Sequence, residues 1–439
     1  MYLCTKAVEG SHAMQRCVRR RTASGSVMVV VMMVLVVVLF LPPHPSSSSS
    51  SSSSFSSSDS SSSLSSSSSV KFLQDSRQAT VLHSANLASS LRDIPKDSCR
   101  PRHDLVFLKT HKCASSTTQR IFLRYGKQHG LTQALPHTGN YLGSPRPFKE
   151  WMLPRSLRTP DGKYNMMVVH TRLDAEALAK VIRKSAAWIT IVREPVDQFE
   201  SLWGYFEMEK FYKMSLEEFA DLPYEKVVRW RLAKVYGIHQ MFYDMGYGSA
   251  EDLTPTNMDR ILTKLNSTFD LVMVAERYDE SLVLLKDLMC WTADDVAYLS
   301  INFRKKKFAT NKLAPETRDK LLQLSYPDAK IYEFFLKVFE KKVEAFGRAR
   351  MAKELAAVQA ANKKLAEKCV VNENSPLRAE KGMEWVEVVS RVTVRGDIQD
   401  CVDVVRTEHD MLNDVRERQR LWVARRWRGN LSQVVVPLR

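Results

Sequence analysis

The most informative turn in this chain contains no glycine. Leu105-Val-Phe-Leu108 is an unbroken apolar run, the pattern of a buried parallel strand, and it leads into Lys109-Thr-His-Lys-Cys-Ala-Ser-Ser116. Without glycines the GxxxxGK[ST] pattern of a Walker A loop is absent, which argues against an ATPase or GTPase. Zinc-ligand spacing is also missing, so no metal is expected. No Lys or Arg occurs between Arg21 and Lys71. Inside that gap the apolar run Val27 to Leu41 ends in Leu41-Pro-Pro-His-Pro45. No small-x-small site follows it, which argues against a cleaved signal peptide.

What is present favours a membrane anchor. Ala23 to Ser26 extend the apolar run to roughly the 20 residues that span a bilayer. Arg16, Arg19, Arg20 and Arg21 precede it. The positive-inside rule then keeps the N-terminus cytoplasmic and sends the rest across the membrane. Ser46 to Ser69 is almost pure serine; it cannot bury apolar surface and reads as a disordered stem. The expected layout is a tail (1–22), a signal anchor (23–41), a Ser-rich stem (42–94), a luminal domain (95–370) and a basic, partly helical extension (371–439). Asn266 and Asn430 head N-x-S/T sequons on the luminal side. Of seven cysteines, Cys4 and Cys17 fall on the cytoplasmic side and Cys113 in the turn. Cys99, Cys290, Cys369 and Cys401 remain for two disulfides, with three possible pairings. The net charge of +16 suits anionic ligands or membrane surfaces. The anchor removes nucleic acid from consideration.

The luminal part reads as one α/β domain. Tyr164 to His170, Trp188 to Val192 and Phe269 to Val274 read as further buried strands. Asp174 to Ser185 reads as a helix capped by Asp174, and Pro195 starts another. Strands alternating with helices imply a mostly parallel sheet, whose ligands bind beyond the strands' carboxyl ends. Lys109, His170 and Arg193 all lie at such ends. Lys330 to Ala366 reads as one long helix. Val404 to Trp427 is rich in arginine and reads either as a helix on a membrane surface or as one docked on the domain.

A strand, a cationic turn and a helix start together form a phosphate cradle. Helix-start N–H groups and the dipole favour an anion, Lys109 and Lys112 add charge, and Ser115, Ser116 and Thr117 add donors. The plainer alternative is a polar loop in which Ser116 or Thr117 caps an ordinary helix.

Two segments together carry a family resemblance: Phe107-Leu-Lys-Thr-His-Lys-Cys-Ala-Ser-Ser-Thr117 and Ile189-Thr-Ile-Val-Arg-Glu-Pro-Val-Asp-Gln-Phe-Glu-Ser-Leu202. They resemble the 5′-phosphosulfate and 3′-phosphate motifs of Golgi sulfotransferases that use 3′-phosphoadenylyl sulfate. Asp279 to Trp291 and Lys342 to Met351 bring the chain nearest to the galactose-3-O-sulfotransferases, on the branch acting on galactosylceramide. The resemblance implies a P-loop-like sulfotransferase fold and a Golgi, single-pass type II enzyme. It implies transfer of the sulfuryl group to the 3-OH of a β-galactosyl residue on a glycolipid, and allows for a homodimer. Lys109, Thr110, His111, Lys112, Cys113, Ala114, Ser115, Ser116 and Thr117 would wrap the 5′-phosphosulfate, with Lys112 at the sulfate. Arg193 and Ser201 would bind the 3′-phosphate. His170 would be the general base, with His111 as its rival.

The same residues have plainer readings. His170 could be a hydrogen-bonded core histidine, Arg193 an ion-paired helix-start residue, and Arg304 to Lys307 a solvated loop. Cys113 stands where the family usually has threonine, and Glu194 where aspartate is commoner. Galactose on glycoprotein glycans is the alternative acceptor. A catalytically weak glycan-binding or scaffold protein is the alternative of a different class.

Overall fold

The computed structural model describes residues 99–249, 251–299, 313–375 and 391–431. The expected anchor (23–41), the expected stem (42–94) and the Arg304 to Lys307 run lie outside the described residues. Among the described residues no helix is long and apolar enough to cross a membrane.

The centre is a four-stranded parallel sheet. In chain order the main elements begin with β1 (Leu105–Leu108), α1 (Ser115–Gln128), β2 (Tyr141–Pro147), β3 (Met166–Met167), β4 (His170–Arg172) and α2 (Ala175–Ala179). They continue with β5 (Ala187–Val192), α3 (Pro195–Tyr205), α4 (Gln240–Asp244), α5 (Pro255–Thr268), β6 (Leu271–Val274) and α6 (Tyr278–Met289). The sheet order is β3-β1-β5-β6, while β2 and β4 form a separate parallel pair. Leu108 lies opposite Thr190 in the β1–β5 register, so Lys109 and Arg193 leave the sheet at the same edge. All four residues of β1 are buried, as are all four of β6. Phe107 meets Phe122 of α1 edge to face at 5.1 Å. Each such fully buried ring contributes roughly 1.5–3 kcal/mol.

The expected second strand is divided. Only Met166–Met167 joins the main sheet, and His170 instead begins β4, its N–H donating to Asn140 O. Likewise α2 is a single short helix. Asp174 caps it as expected, accepting from Ala177 N, but Val181 and Ile182 turn back onto Leu178 O, and Tyr164 bridges to Ile182.

Beyond β6 the expected single helix is two: α7 (Tyr326–Phe346) and α8 (Arg348–Cys369). Gly347 separates them at φ +89, a backbone conformation that breaks a helix and favours glycine. Then follow β7 (Val370–Ser375), β8 (Arg391–Val394), α9 (Gln399–Val405) and α10 (Glu408–Leu431). Among the described residues the disulfides are Cys99–Cys290 and Cys369–Cys401, and Cys113 is free and buried. Helix α10 docks on the domain. Its Met411, Leu412 and Val415 join the main core. Arg416 donates to Pro136 O at 3.0 Å, and Gln419 exchanges bonds with Gln133 at 2.8 and 3.0 Å.

Candidate active site

The β1–α1 turn adopts strained backbone at two residues that are not glycine. Lys112 sits at φ 61 and Ala114 at φ 58; left-handed backbone away from glycine costs of order 1–3 kcal/mol and concentrates at functional sites. The surroundings hold it there. Thr110 Oγ1 donates to Ile191 O at 2.6 Å, and Ser115 Oγ to Thr110 O at 2.5 Å. From α3, Gln198 donates to His111 O at 2.8 Å, and from just beyond β5 Arg193 Nη1 donates to Lys112 O at 3.0 Å. The two sequence motifs are thus one structural unit.

The start of α1 is bare. Its cap residue is Ala114, with no side-chain cap bond and no acidic residue in the first turn. By contrast Asp174, Glu194 and Thr254 cap α2, α3 and α5 with their side chains. Ser116 and Thr117 lie inside α1 and do not cap it, contrary to the plainer expectation. The first N–H groups of a helix lack intrahelical partners and suit an anion. Cationic side chains, strained turn and uncapped helix fit a phosphosulfate.

The two histidines lie together but in different chemical situations. Their rings stack at 4.1 Å. His170 Nδ1–H donates to the Lys109 carbonyl at 2.9 Å, so its Nε2 accepts from Lys109 Nζ, also at 2.9 Å. Burial, then the charges of Lys109 and His111, hold the His170 imidazole well below its ordinary value; it stays neutral with its lone pair engaged. His111 donates from Nδ1 to Asp244, 2.9 Å away, and turns Nε2 toward Tyr141 Oη at 3.1 Å. The Asp244 carboxylate also accepts the His111 backbone N–H at 2.8 Å and Gln240 Nε2 at 2.9 Å. A carboxylate behind one imidazole nitrogen and a hydroxyl at the other is the geometry of an oriented general base.

Lys109 is buried and surrounded. Besides His170 it meets Ser116 Oγ at 3.3 Å and Glu408 Oε2 at 3.4 Å. Burial lowers its ammonium pKa, against the opposing effect of Glu408. Burial alone would raise the Glu408 carboxyl, but the charges of Lys109 and Arg120 overcome it and hold it below the usual glutamate range. Asn140 Nδ2 donates to the same carboxylate at 3.1 Å.

The remaining candidates are dispersed around this centre. Lys112 Nζ lies 3.7 Å from the Tyr205 ring centroid, a cation–π contact. Cys113 is fully buried, its thiol pointing at His111 O 3.3 Å away and raised in pKa by burial. Ala114 is exposed, while Ser116, Thr117 and Ser201 are half-buried, Ser201 lying two turns into α3. Asn266 is exposed near the end of α5, and Asn430 lies within α10. Asp244, Tyr141, Tyr236 and Glu408 were not foreseen. They belong to no motif, and Asp244 and Glu408 reach the turn from 133 and about 300 residues along the chain. Gln198 lay inside the second motif, but its contact with the turn is a tertiary fact.

The galactose-3-O-sulfotransferase family profile matches residues 14–382, and the chain belongs to that family. Bovine galactosylceramide sulfotransferase is 36% identical over 282 residues, 62% of this chain and 65% of the relative. The mouse protein of that name is 34% identical over the same shares. Bovine galactose-3-O-sulfotransferase 3 is 31% identical over 64% of this chain and 67% of its own length. The chain thus spans just under two thirds of the first of these relatives.

Proposed function

We propose that this protein transfers the sulfuryl group of 3′-phosphoadenylyl sulfate to the 3-OH of a β-galactosyl residue, on galactosylceramide or a related glycolipid. The observation that carries the reading is the uncapped start of α1 behind the strained Lys112–Ala114 turn, bonded to Arg193. Family membership supports the reaction class, and the galactosylceramide sulfotransferases among the relatives support the acceptor. Galactose-3-O-sulfotransferases 2 and 3, both at 31% identity, are named for galactose without a lipid and so leave room for a second reading, with galactose on glycoprotein glycans as acceptor. The basic and then apolar sequence up to Leu41 and the sequons support a Golgi-membrane enzyme with its domain in the lumen; a homodimer is compatible with it.

When bound, the donor would supply the electrophilic sulfuryl group and a phosphate leaving group. Residues Lys109 to Thr117 would hold its 5′-phosphosulfate, and Arg193 and Ser201 its 3′-phosphate. Lys112 and the α1 N–H groups would stabilise the charge that grows on the departing oxygen. His111, oriented by Asp244, would accept the proton of the sugar hydroxyl, whose own pKa lies far above neutral. His170 would hold Lys109 and the ring stack.

Labelled 3′-phosphoadenylyl sulfate offered with galactosylceramide and a soluble galactoside in competition tests this. Transfer to the glycolipid, abolished by Lys112→Ala and by Arg193→Ala, is the expected result. Unchanged transfer in both variants refutes the site, and preference for the soluble galactoside moves the acceptor to glycoproteins.

A further inference from the structure

His111 offers one nitrogen to the site, and a tyrosine already occupies it. Nδ1 is engaged by Asp244, and Nε2 lies 3.1 Å from Tyr141 Oη. A hydroxyl deprotonated directly by Nε2 must approach to about 2.6–3.2 Å, the place that Tyr141 Oη fills. Tyr141 is held there from several sides. It opens β2 in register with His170, and its ring stacks on that imidazole at 4.7 Å. Its oxygen accepts a hydrogen bond from Tyr236 Oη at 3.0 Å, and Tyr236 in turn stacks on Phe206 at 3.7 Å. Displacing Tyr141 would therefore break two hydrogen bonds and a ring stack. Yet the residue is not enclosed: 36% of its surface remains exposed.

We propose that Tyr141 is a catalytic residue that relays the acceptor's proton to His111, resting on the sulfotransferase reading above. The acceptor hydroxyl donates to Tyr141 Oη as the Tyr141 proton passes to His111 Nε2. The acceptor O–H bond breaks and a new Tyr141 O–H bond forms; the old Tyr141 O–H bond breaks and an Nε2–H bond forms. The acceptor oxygen's electron pair makes the bond to sulfur, and the sulfur–oxygen bond to the nucleotide breaks, its electrons leaving with the phosphate. The imidazolium, stabilised by Asp244, later yields its proton to water. Burial raises the Tyr141 phenol further above its ordinary value. Both transfers therefore occur together, without a free tyrosinate.

Tyr141→Phe tests the relay in the full-length chain, because it keeps the ring and its stack and removes only Oη. The measurements are kcat, acceptor KM and calorimetric binding of adenosine 3′,5′-bisphosphate, with His111→Ala in parallel. The relay predicts normal bisphosphate binding, an acceptor KM close to normal and a loss in kcat of about 100-fold or more in Tyr141→Phe. Normal or raised kcat in Tyr141→Phe, with kcat lost in His111→Ala, overturns the relay and leaves His111 as a base the tyrosine merely covers. Loss of bisphosphate binding in Tyr141→Phe also overturns it, since the hydroxyl would then be holding the turn. Normal kcat in His111→Ala sinks the base assignment itself. Absence of transfer to any galactoside by the unmodified chain, with bisphosphate still bound, sinks the acceptor reading instead.

Discussion

Replacing Asp244 by asparagine should cut turnover by about 10³-fold while leaving the nucleotide site intact. Asp244 is 3% exposed, and its carboxylate accepts three N–H groups: the His111 backbone at 2.8 Å, His111 Nδ1 at 2.9 Å and Gln240 Nε2 at 2.9 Å. Asparagine keeps the shape but has one accepting oxygen. His111 Nδ1 lies 2.9 Å from both carboxylate oxygens; where the remaining oxygen keeps the backbone N–H, the new amide NH₂ takes the Oδ1 place against Nδ1 and favours that nitrogen as an acceptor. The imidazole then carries its proton on Nε2 and cannot take another. A wrong-tautomer histidine of this kind costs about 10⁴ in kcat in hydrolytic triads. A general base as a whole contributes about 10²–10⁴, so a loss near 10³, about 4 kcal/mol of activation free energy, is expected. The lost charge-assisted bonds should also cost about 1.5–3 kcal/mol of stability. The assay is single-turnover transfer from labelled donor, beside calorimetric titration with adenosine 3′,5′-bisphosphate and a urea melt. Turnover close to that of the unmodified chain would refute the Asp244–His111 assignment. So would a loss matched by failure to bind the bisphosphate, because the carboxylate would then be shaping the turn.

Three further outcomes are expected. Cys113→Thr should leave donor KM unchanged and shift stability by no more than about 1 kcal/mol, because the new hydroxyl can donate to His111 O as the thiol does; paired kinetics and thermal melts check this. Glu408→Ala should destabilise the domain by about 3–5 kcal/mol in urea, since it leaves the buried Lys109 ammonium without its counter-ion. His239 is buried, and burial holds its imidazole at about 4, down from 6.5, against the effect of its bond to Leu324 O. The unfolded chain therefore binds more protons between those values, and stability falls as pH drops from about 6.5 through about 4, by about 3 kcal/mol in all. His239→Asn, which tolerates the left-handed backbone at φ 59, should flatten that slope in melts taken across the range.

The sequence made one kind of information legible and withheld another, for a physical reason. Lys109 to Thr117, Arg193 and the helix starting at Pro195 could be found because strand, turn and helix are consecutive there, and local chemistry dictates local geometry. Cys99 and Cys290, or Cys369 and Cys401, could be counted but not paired, because pairing is a fact about distant chain. The segment Tyr164 to His170 is divided for a related reason: Met166–Met167 pairs with β1 and only its end leaves the main sheet. Its apolar run is equally good in either sheet, and only the pairing of His170 with Tyr141 assigns it to β4. Asp244 and Glu408 illustrate the limit most clearly. Each is a single carboxylate in a segment without a motif, indistinguishable in sequence from a solvated surface charge. Each acquires its role only when folding brings it against a cation or an imidazole of the turn that follows β1. The turn itself shows the converse. Its lack of glycine excluded a Walker A loop, yet Lys112 and Ala114 adopt the left-handed backbone that glycines would have supplied. The absence of glycine therefore reports which partners stabilise the turn, not which anion it can hold. Those partners include Gln198 and Arg193, so the second motif supports the first mechanically as well as chemically. A substitution at Gln198 that leaves every cation in place should therefore still weaken donor binding.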